Sequence, residues 1–153
     1  MNDSPGRLEA PLRGAHGLAL TVATVAGLLA SGYLVAVHFL GEAPVCGPVK
    51  GCETVTTSEY SMVLGIPVAL FGFGLSLVLV ACAVAWWRLG DRRPLLAAYG
   101  LLLLATLAVA YLTYLELFVI HAVCAWCVTY ATTIVISLVI TGLALRRDGA
   151  GTA

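Results

Sequence analysis

Two cysteine pairs carry the residue types that can do chemistry in this chain. Cys46 and Cys52 are separated by Gly-Pro-Val-Lys-Gly, and Cys124 and Cys127 by Ala-Trp. A thiolate attacks a disulfide through a mixed intermediate, so neighbouring pairs can hand a disulfide from one to the other. On a helix, residues three apart share a face and can bridge. If Cys124-Ala-Trp-Cys127 opens a helix, the partial positive charge at the helix N-terminus favours the thiolate. The glycines and proline of the first pair let its loop fold back, so that its cysteines can meet each other or reach the second pair. Two other readings stay open on spacing alone. The cysteines of a non-catalytic protein could simply staple loops, or four thiols could hold zinc, although a C-x5-C spacing speaks against metal and no metal ligand set is expected.

The elements that must position these pairs are membrane helices. Of 153 residues, 61% are hydrophobic and 10% charged, where soluble domains have roughly 45–50% and about 25%. Mean hydropathy is +1.00. Apolar runs cover residues 18–40, 62–87, 95–120 and 122–145, each longer than the ~20 residues needed to cross the hydrocarbon. The short alternating segments of a β-barrel are missing. The expected fold is all-α, an integral membrane four-helix bundle with an exterior loop, residues 41–61, between helices 1 and 2. Residues 1–17 and 146–153 are expected as disordered cytoplasmic tails, and 18–145 as the catalytic domain. The first apolar run exceeds the ~7–15 residues of a signal-peptide core, so it is expected to stay. Val45 before Cys46 also argues against a lipoprotein site. The formal net charge is zero, which gives no case for nucleic-acid binding.

Basic residues fix the expected orientation. Arg7, Arg13, Arg88, Arg92, Arg93, Arg146 and Arg147 fall on one side of a four-helix topology and only Lys50 on the other. Positive charge stays inside, which puts both termini in the cytoplasm of a multi-pass cell-membrane protein and both cysteine pairs outside, where disulfides persist. Four thiols at the edge of a lipid phase suggest electron transfer between a protein dithiol and a membrane-soluble carrier. Cys82, near the cytoplasmic end of helix 2, reads as a small buried hydrophobe.

Longer motifs then become informative. Cys46-Gly-Pro-Val-Lys-Gly-Cys52 is followed by Glu53-Thr-Val-Thr-Thr-Ser58-Glu-Tyr60 and Leu64-Gly-Ile-Pro67. Tyr111-Leu-Thr-Tyr114-Leu-Glu116-Leu-Phe-Val-Ile leads into His121-Ala-Val-Cys124-Ala-Trp-Cys127. In this order, over residues 18–145, they resemble the vitamin K epoxide reductase family in its bacterial form. The resemblance implies four helices around a quinone pocket (menaquinone or ubiquinone) near the exterior face. It implies that Cys46 exchanges with a thioredoxin-like partner, Cys52 passes electrons to Cys124, Cys127 faces the quinone, and Ser58 lies beside it. Bacterial members are often fused to a thioredoxin-like domain. This sequence ends at Ala153, so a separate thioredoxin-fold dithiol protein of the DsbA type is expected as partner, and disulfide-bond formation outside the cytoplasm as the outcome. The other four-helix quinone-linked oxidase type, resembling DsbB, carries its C-x-x-C in the first exterior loop rather than at the fourth helix.

Two positions depart from the family pattern. Val68 stands where family members often carry Asn after Gly-Ile-Pro. The vertebrate enzymes have Tyr four residues after the second active-site cysteine, whereas here Ala131 is there and Tyr130 precedes it. Val68 and Tyr130 are therefore candidate pocket residues. Tyr111 and Tyr114 share a helix face and could pack on a quinone ring, or equally between helices. Glu116 could deliver protons, since an ionisable residue inside a membrane is a functional hypothesis by default, or could be solvated one turn from the interface. His121 and His38 read as wet interfacial histidines. Trp86 and Trp87 fit an interface belt, while Trp126 is either interfacial or a shield for the disulfide.

Overall fold

The computed structural model describes residues 6–47 and 51–150, with side chains from 14 to 147. Lys50 and the outermost parts of both tails lie outside the described residues. Four long helices make the bundle: α1 (Gly6–Leu40), α3 (Val68–Leu89), α4 (Arg92–Leu115) and α5 (Ala125–Ala150). Between α1 and α3 come the short helix α2 (Cys52–Thr56), a 3₁₀ turn at Glu59–Ser61 and a hairpin of β1 (Met62–Val63) and β2 (Ile66–Pro67). All four long helices contain stretches apolar and long enough to span a bilayer. The fold is the expected all-α membrane bundle.

Helix α1 packs on α3 and α5, and α4 packs on α3 and α5, so the four form a ring. Small residues allow close approach, as is common between membrane helices. A Cβ on Gly27 would lie 2.8 Å from the Thr133 hydroxyl oxygen, and one on Gly17 would lie 2.8 Å from the Trp87 ring. The interior is filled by Leu79, Leu102, Val109 and Ile134 in one cluster and by Leu20, Trp86, Leu95 and Ala144 in another. Leu104 and Leu107, 66% and 70% exposed, show that the outer surface is as apolar as the core, as lipid requires. Hydroxyls inside the bundle are satisfied locally. Thr24, Ser31 and Thr141 each donate to the carbonyl four residues earlier, which removes the cost of a lone polar group in hydrocarbon.

Element ends differ from expectation at several points. Residues 6–17, expected as a disordered tail, continue α1 in the structure. Likewise α5 runs on to Ala150. The second span starts at Val68, not Met62, because Leu64 and Gly65, with φ of 53° and 80°, turn the chain between the strands. Gly90 ends α3 in the left-handed region (φ 69°), and Asp91 then caps α4 by accepting from the Arg93 N–H at 3.1 Å. Pro94 falls in the first turn of α4, where no intrahelical N–H is needed. Trp86 is core rather than belt, being 2% exposed, whereas Trp87 is partly exposed.

Candidate active site

The four cysteines meet at one end of the bundle. Cys46 and Cys52 are disulfide-bonded, with Cα atoms 6.0 Å apart, while Cys124 and Cys127 are free thiols. Cys52 and Cys124, both 0% exposed, share a cluster with Val55, and Cys46, Trp126 and Cys127 pack against it. The loop is held down by specific contacts. Trp126 Nε1 donates to the Val45 carbonyl at 2.9 Å and the Val45 N–H donates to the Tyr33 hydroxyl at 3.0 Å. The Tyr33 and Trp126 rings lie 4.4 Å apart. Gly51 rests so closely on the backbone of Val123 that a Cβ there would fall 2.6 Å from the Val123 nitrogen. Tyr33 was not singled out from the sequence, because a tyrosine two turns from a helix end reads as an interface residue until its partner is known.

The third span ends in a wide turn, Glu116–Ile120, whose closing bonds run from the His121 and Ala122 N–H groups to the Glu116 carbonyl. His121 takes a left-handed conformation (φ 54°), and the next helix starts at Ala125, three residues later than Ala122. Cys124 thereby becomes its N-cap. The Cys124 sulfur accepts from the Cys127 N–H at 3.4 Å, and the Cys124 N–H donates to Glu116 Oε2 at 3.2 Å. A sulfur in the N-cap position faces the unpaired N–H groups and positive end of the helix, both of which favour thiolate. The hydrogen bond donated by the Cys127 thiol contributes most and brings the Cys124 pKa down to about 7, against burial, which pushes it up. Cys124 is thus the sulfur held ready to ionise in the open pair.

Cys127 borders a half-open cavity of about 240 Å³ lined by the four long helices and the loop. Its walls are apolar, with Leu34, Phe71, Leu75, Val109 and Leu112 prominent, and its polar rim includes Ser58, Tyr60, Thr113 and Glu116. An apolar cavity of ~150 Å³ accepts a benzene ring, so this one has room for a substituted six-membered ring. Ser58, Val68, Tyr130 and Cys127, four of the residues expected at a pocket, line it together. Ala131 lines it too. The Ser58 hydroxyl is bound to the Val55 carbonyl at 2.7 Å, and the Tyr130 hydroxyl donates to the Gly72 carbonyl at 3.0 Å. The Tyr130 oxygen in turn accepts from the Ser76 hydroxyl at 3.5 Å, so both hydroxyl protons are committed to backbone carbonyls.

Tyr111 and Tyr114 are not brought to the cavity. They are 60% and 54% exposed on the outside of α4, where Tyr114 stacks on Phe118 with ring centroids 5.0 Å apart. They do share a face, but the inward face carries Leu112, Leu115 and Glu116. Glu116 is 4% exposed rather than solvated. His38, expected as a wet interfacial residue, is on the cavity rim, whereas His121 is exposed in the turn before Cys124. Cys82 packs against the core cluster away from the other thiols. Among the described residues no group of three or more His, Cys, Asp or Glu side chains is placed to hold a metal ion.

Residues 18–142 match the family described as the vitamin K epoxide reductase family. No curated protein matches the chain.

Proposed function

Because the chain belongs to the vitamin K epoxide reductase family and is therefore a membrane redox enzyme of thiol–disulfide chemistry, we propose that it oxidises a secreted thioredoxin-fold dithiol protein of the DsbA type and passes the electrons to menaquinone or ubiquinone. The product is a disulfide-forming capacity outside the cytoplasm. One observation carries this reading. Cys127 borders a ring-sized apolar cavity while its partner Cys124 is buried against Cys52, so a thiol-exchange site and an acceptor site meet at one pair.

The residues divide the work by exposure. Cys46 is the more accessible of the loop pair, beside Val45, which is 75% exposed. A partner thiolate attacks Cys46, the sulfur–sulfur bond to Cys52 breaks, and the partner's second thiol releases Cys46 as its own disulfide closes. Cys52, out of solvent, attacks a Cys124–Cys127 disulfide at Cys124 and frees Cys127. The Cys46 thiolate then attacks Cys52 and frees Cys124. The loop disulfide is closed again and the C-x-x-C pair holds two electrons. The observed pattern, loop pair closed and C-x-x-C pair open, corresponds to this state.

Bound in the cavity, a quinone supplies an acceptor for two electrons and two protons. Cys127 supplies the adjacent sulfur, and the Cys124 thiolate closes the disulfide behind it. Leu34, Phe71 and Leu75 exclude water from the ring, and the Ser58 and Tyr130 hydroxyls would donate to a quinone oxygen by turning away from the Val55 and Gly72 carbonyls. Val68 gives one face of the cavity no amide donor, so shape and apolar contact are left to hold the ring there.

The test is quinone reduction by purified protein in detergent, driven by a reduced thioredoxin-fold dithiol. Cys127→Ser is expected to abolish the activity while leaving the chain folded. Equal activity in variant and wild type, or none in a folded wild type, would overturn the reading.

A further inference from the structure

Glu116 is the one ionisable residue among the buried polar side chains described. The others are Thr24, Ser31, Ser76, Ser137 and Thr141. The wide turn that ends the third span positions it, since its own carbonyl takes the closing N–H groups of His121 and Ala122. Its carboxyl touches three parts of the redox site at once. Oε2 accepts from the Cys124 N–H at 3.2 Å, the carboxyl hydrogen-bonds the Cys127 thiol, and the residue lines the cavity. A cap for the Cys124 N–H alone would need only an acceptor, such as an amide or hydroxyl. Burying a carboxyl at the junction of a thiol and an acceptor-sized cavity is costly without a further use.

We propose that Glu116 is the proton relay between the Cys124–Cys127 pair and the acceptor bound in the cavity. This rests on the quinone-linked reading above. Oxidising the pair forms the Cys124–Cys127 bond, breaks the Cys127 S–H bond and releases two electrons to the quinone, which also needs two protons. Glu116, starting as the acid, gives its proton to one quinone oxygen and takes the proton leaving Cys127. It then gives that proton to the other oxygen and remains as carboxylate. The next partner dithiol delivers two electrons and two protons, one proton returning to Cys127 and one to Glu116. Over a turnover, the dithiol and quinone become a disulfide and a quinol with nothing left over.

Other titratable groups face the same cavity: His38 from α1, Tyr60 from the loop, and Tyr130 and Cys127 from α5. Cys124 and His121 lie close by on either side of the α5 start, and α3 contributes no titratable residue to the lining. Among the described residues only Glu116 joins both thiols to the cavity.

The test compares wild type, Glu116→Gln and Glu116→Asp in detergent. Gln keeps the size and an oxygen to accept the Cys124 N–H, but cannot carry a proton. Three rates are read: reduction of the loop disulfide by a reduced thioredoxin-fold dithiol, oxidation of the open C-x-x-C pair by ferricyanide, which takes electrons without protons, and oxidation of the same pair by a soluble quinone across pH. In Gln the loop-disulfide rate is expected to stay at the wild-type level, and ferricyanide oxidation, which still has to shed the Cys127 proton but delivers none to the acceptor, is expected to fall far less than quinone reduction. The quinone rate is expected to fall about 100-fold, the low end for a positioned proton donor, with the quinone KM unchanged and the pH profile altered. Asp should restore part of the quinone rate. Ferricyanide oxidation falling in step with quinone reduction would mean that Glu116 only positions Cys124, and would overturn the proposal. So would a Gln variant with the wild-type quinone rate and pH profile. A wild type that exchanges thiols and reacts with ferricyanide but reduces no quinone would overturn the quinone-linked reading itself, and the relay with it.

Discussion

At the scale of single residues, the two thiols of the open pair have different duties because the start of a helix treats them differently. Cys124 is the N-cap, its sulfur accepting the Cys127 N–H, and the Cys127 S–H bond to it is the largest influence lowering its pKa to about 7. At neutral pH Cys124 therefore carries more than ten times the thiolate of a thiol of ordinary pKa near 8.5. Cys127→Ala removes that donor and leaves burial, which pushes upward, so the Cys124 pKa is expected to rise. Cys127→Ser keeps an O–H donor and is expected to hold it low. Thiolate ultraviolet absorbance followed against pH, with the loop disulfide closed, reads both without requiring a reagent to reach a fully buried sulfur. Identical titration of Cys124 in the Ala and Ser variants would show that the side-chain bond does not set its ionisation.

At the scale of elements, the loop and the start of the fifth helix are registered by backbone contact as well as by the Trp126 side chain. Gly51 lies on the Val123 main chain, directly before Cys52 and Cys124 in their respective segments. The obstructing atoms belong to backbone, so Gly51→Ala must push the loop outward. A misplacement of about 1 Å at a reacting centre can cost ~100-fold. Transfer from Cys52 to Cys124 is expected to slow by that order in Gly51→Ala, while reduction of Cys46–Cys52 by the partner dithiol stays near normal. Trapping the Cys52–Cys124 mixed disulfide in a Cys46→Ser, Cys127→Ser background measures the step, and wild-type yield with Ala at position 51 would show that the contact is not limiting. Not all of this was legible in advance. The cysteine types and their order along the chain announced a common end, and Ser58, Val68 and Tyr130, expected at a pocket from motif position, line the cavity. The side of α4 that faces inward was not legible. Both faces of a membrane helix are apolar, so periodicity does not separate lipid from core. Tyr111 and Tyr114 were therefore as reasonable as their neighbours, and Glu116 stood out only by its charge. The hairpin at residues 62–67 was hidden for a similar reason: Met62, Val63, Leu64 and Ile66 raise hydropathy whether helical or not, and only Gly65 and Pro67 hinted at a turn.

At the scale of the whole molecule, the ring of helices separates two chemically opposite ends. One carries the four thiols and the cavity. The other carries Arg88, Arg92 and Arg93 around the α3–α4 turn and Arg146 and Arg147 near the end of α5. Arginine in short connections is retained on the cytoplasmic side, and in the sequence only Lys50 opposes that bias. The bias predicts that the thiol end lies outside, where a secreted dithiol can reach Cys46, while the apolar outer surface gives the cavity a lipid phase from which a quinone can come. Single cysteines test this in a cysteine-free background. Glu42→Cys, exposed beyond the end of α1, is expected to react with a membrane-impermeant maleimide on intact cells. Arg147→Cys, exposed near the far end of α5, is expected to react only after permeabilisation. The reverse pattern would invert the molecule, turn Cys46 toward the reducing cytosol, and remove the compartment in which a disulfide-forming role has any use. Exterior labelling at position 42 with protection at 147 would instead tie the direction of electron flow, from exterior dithiol to lipid-phase acceptor, to the placement of a few arginines.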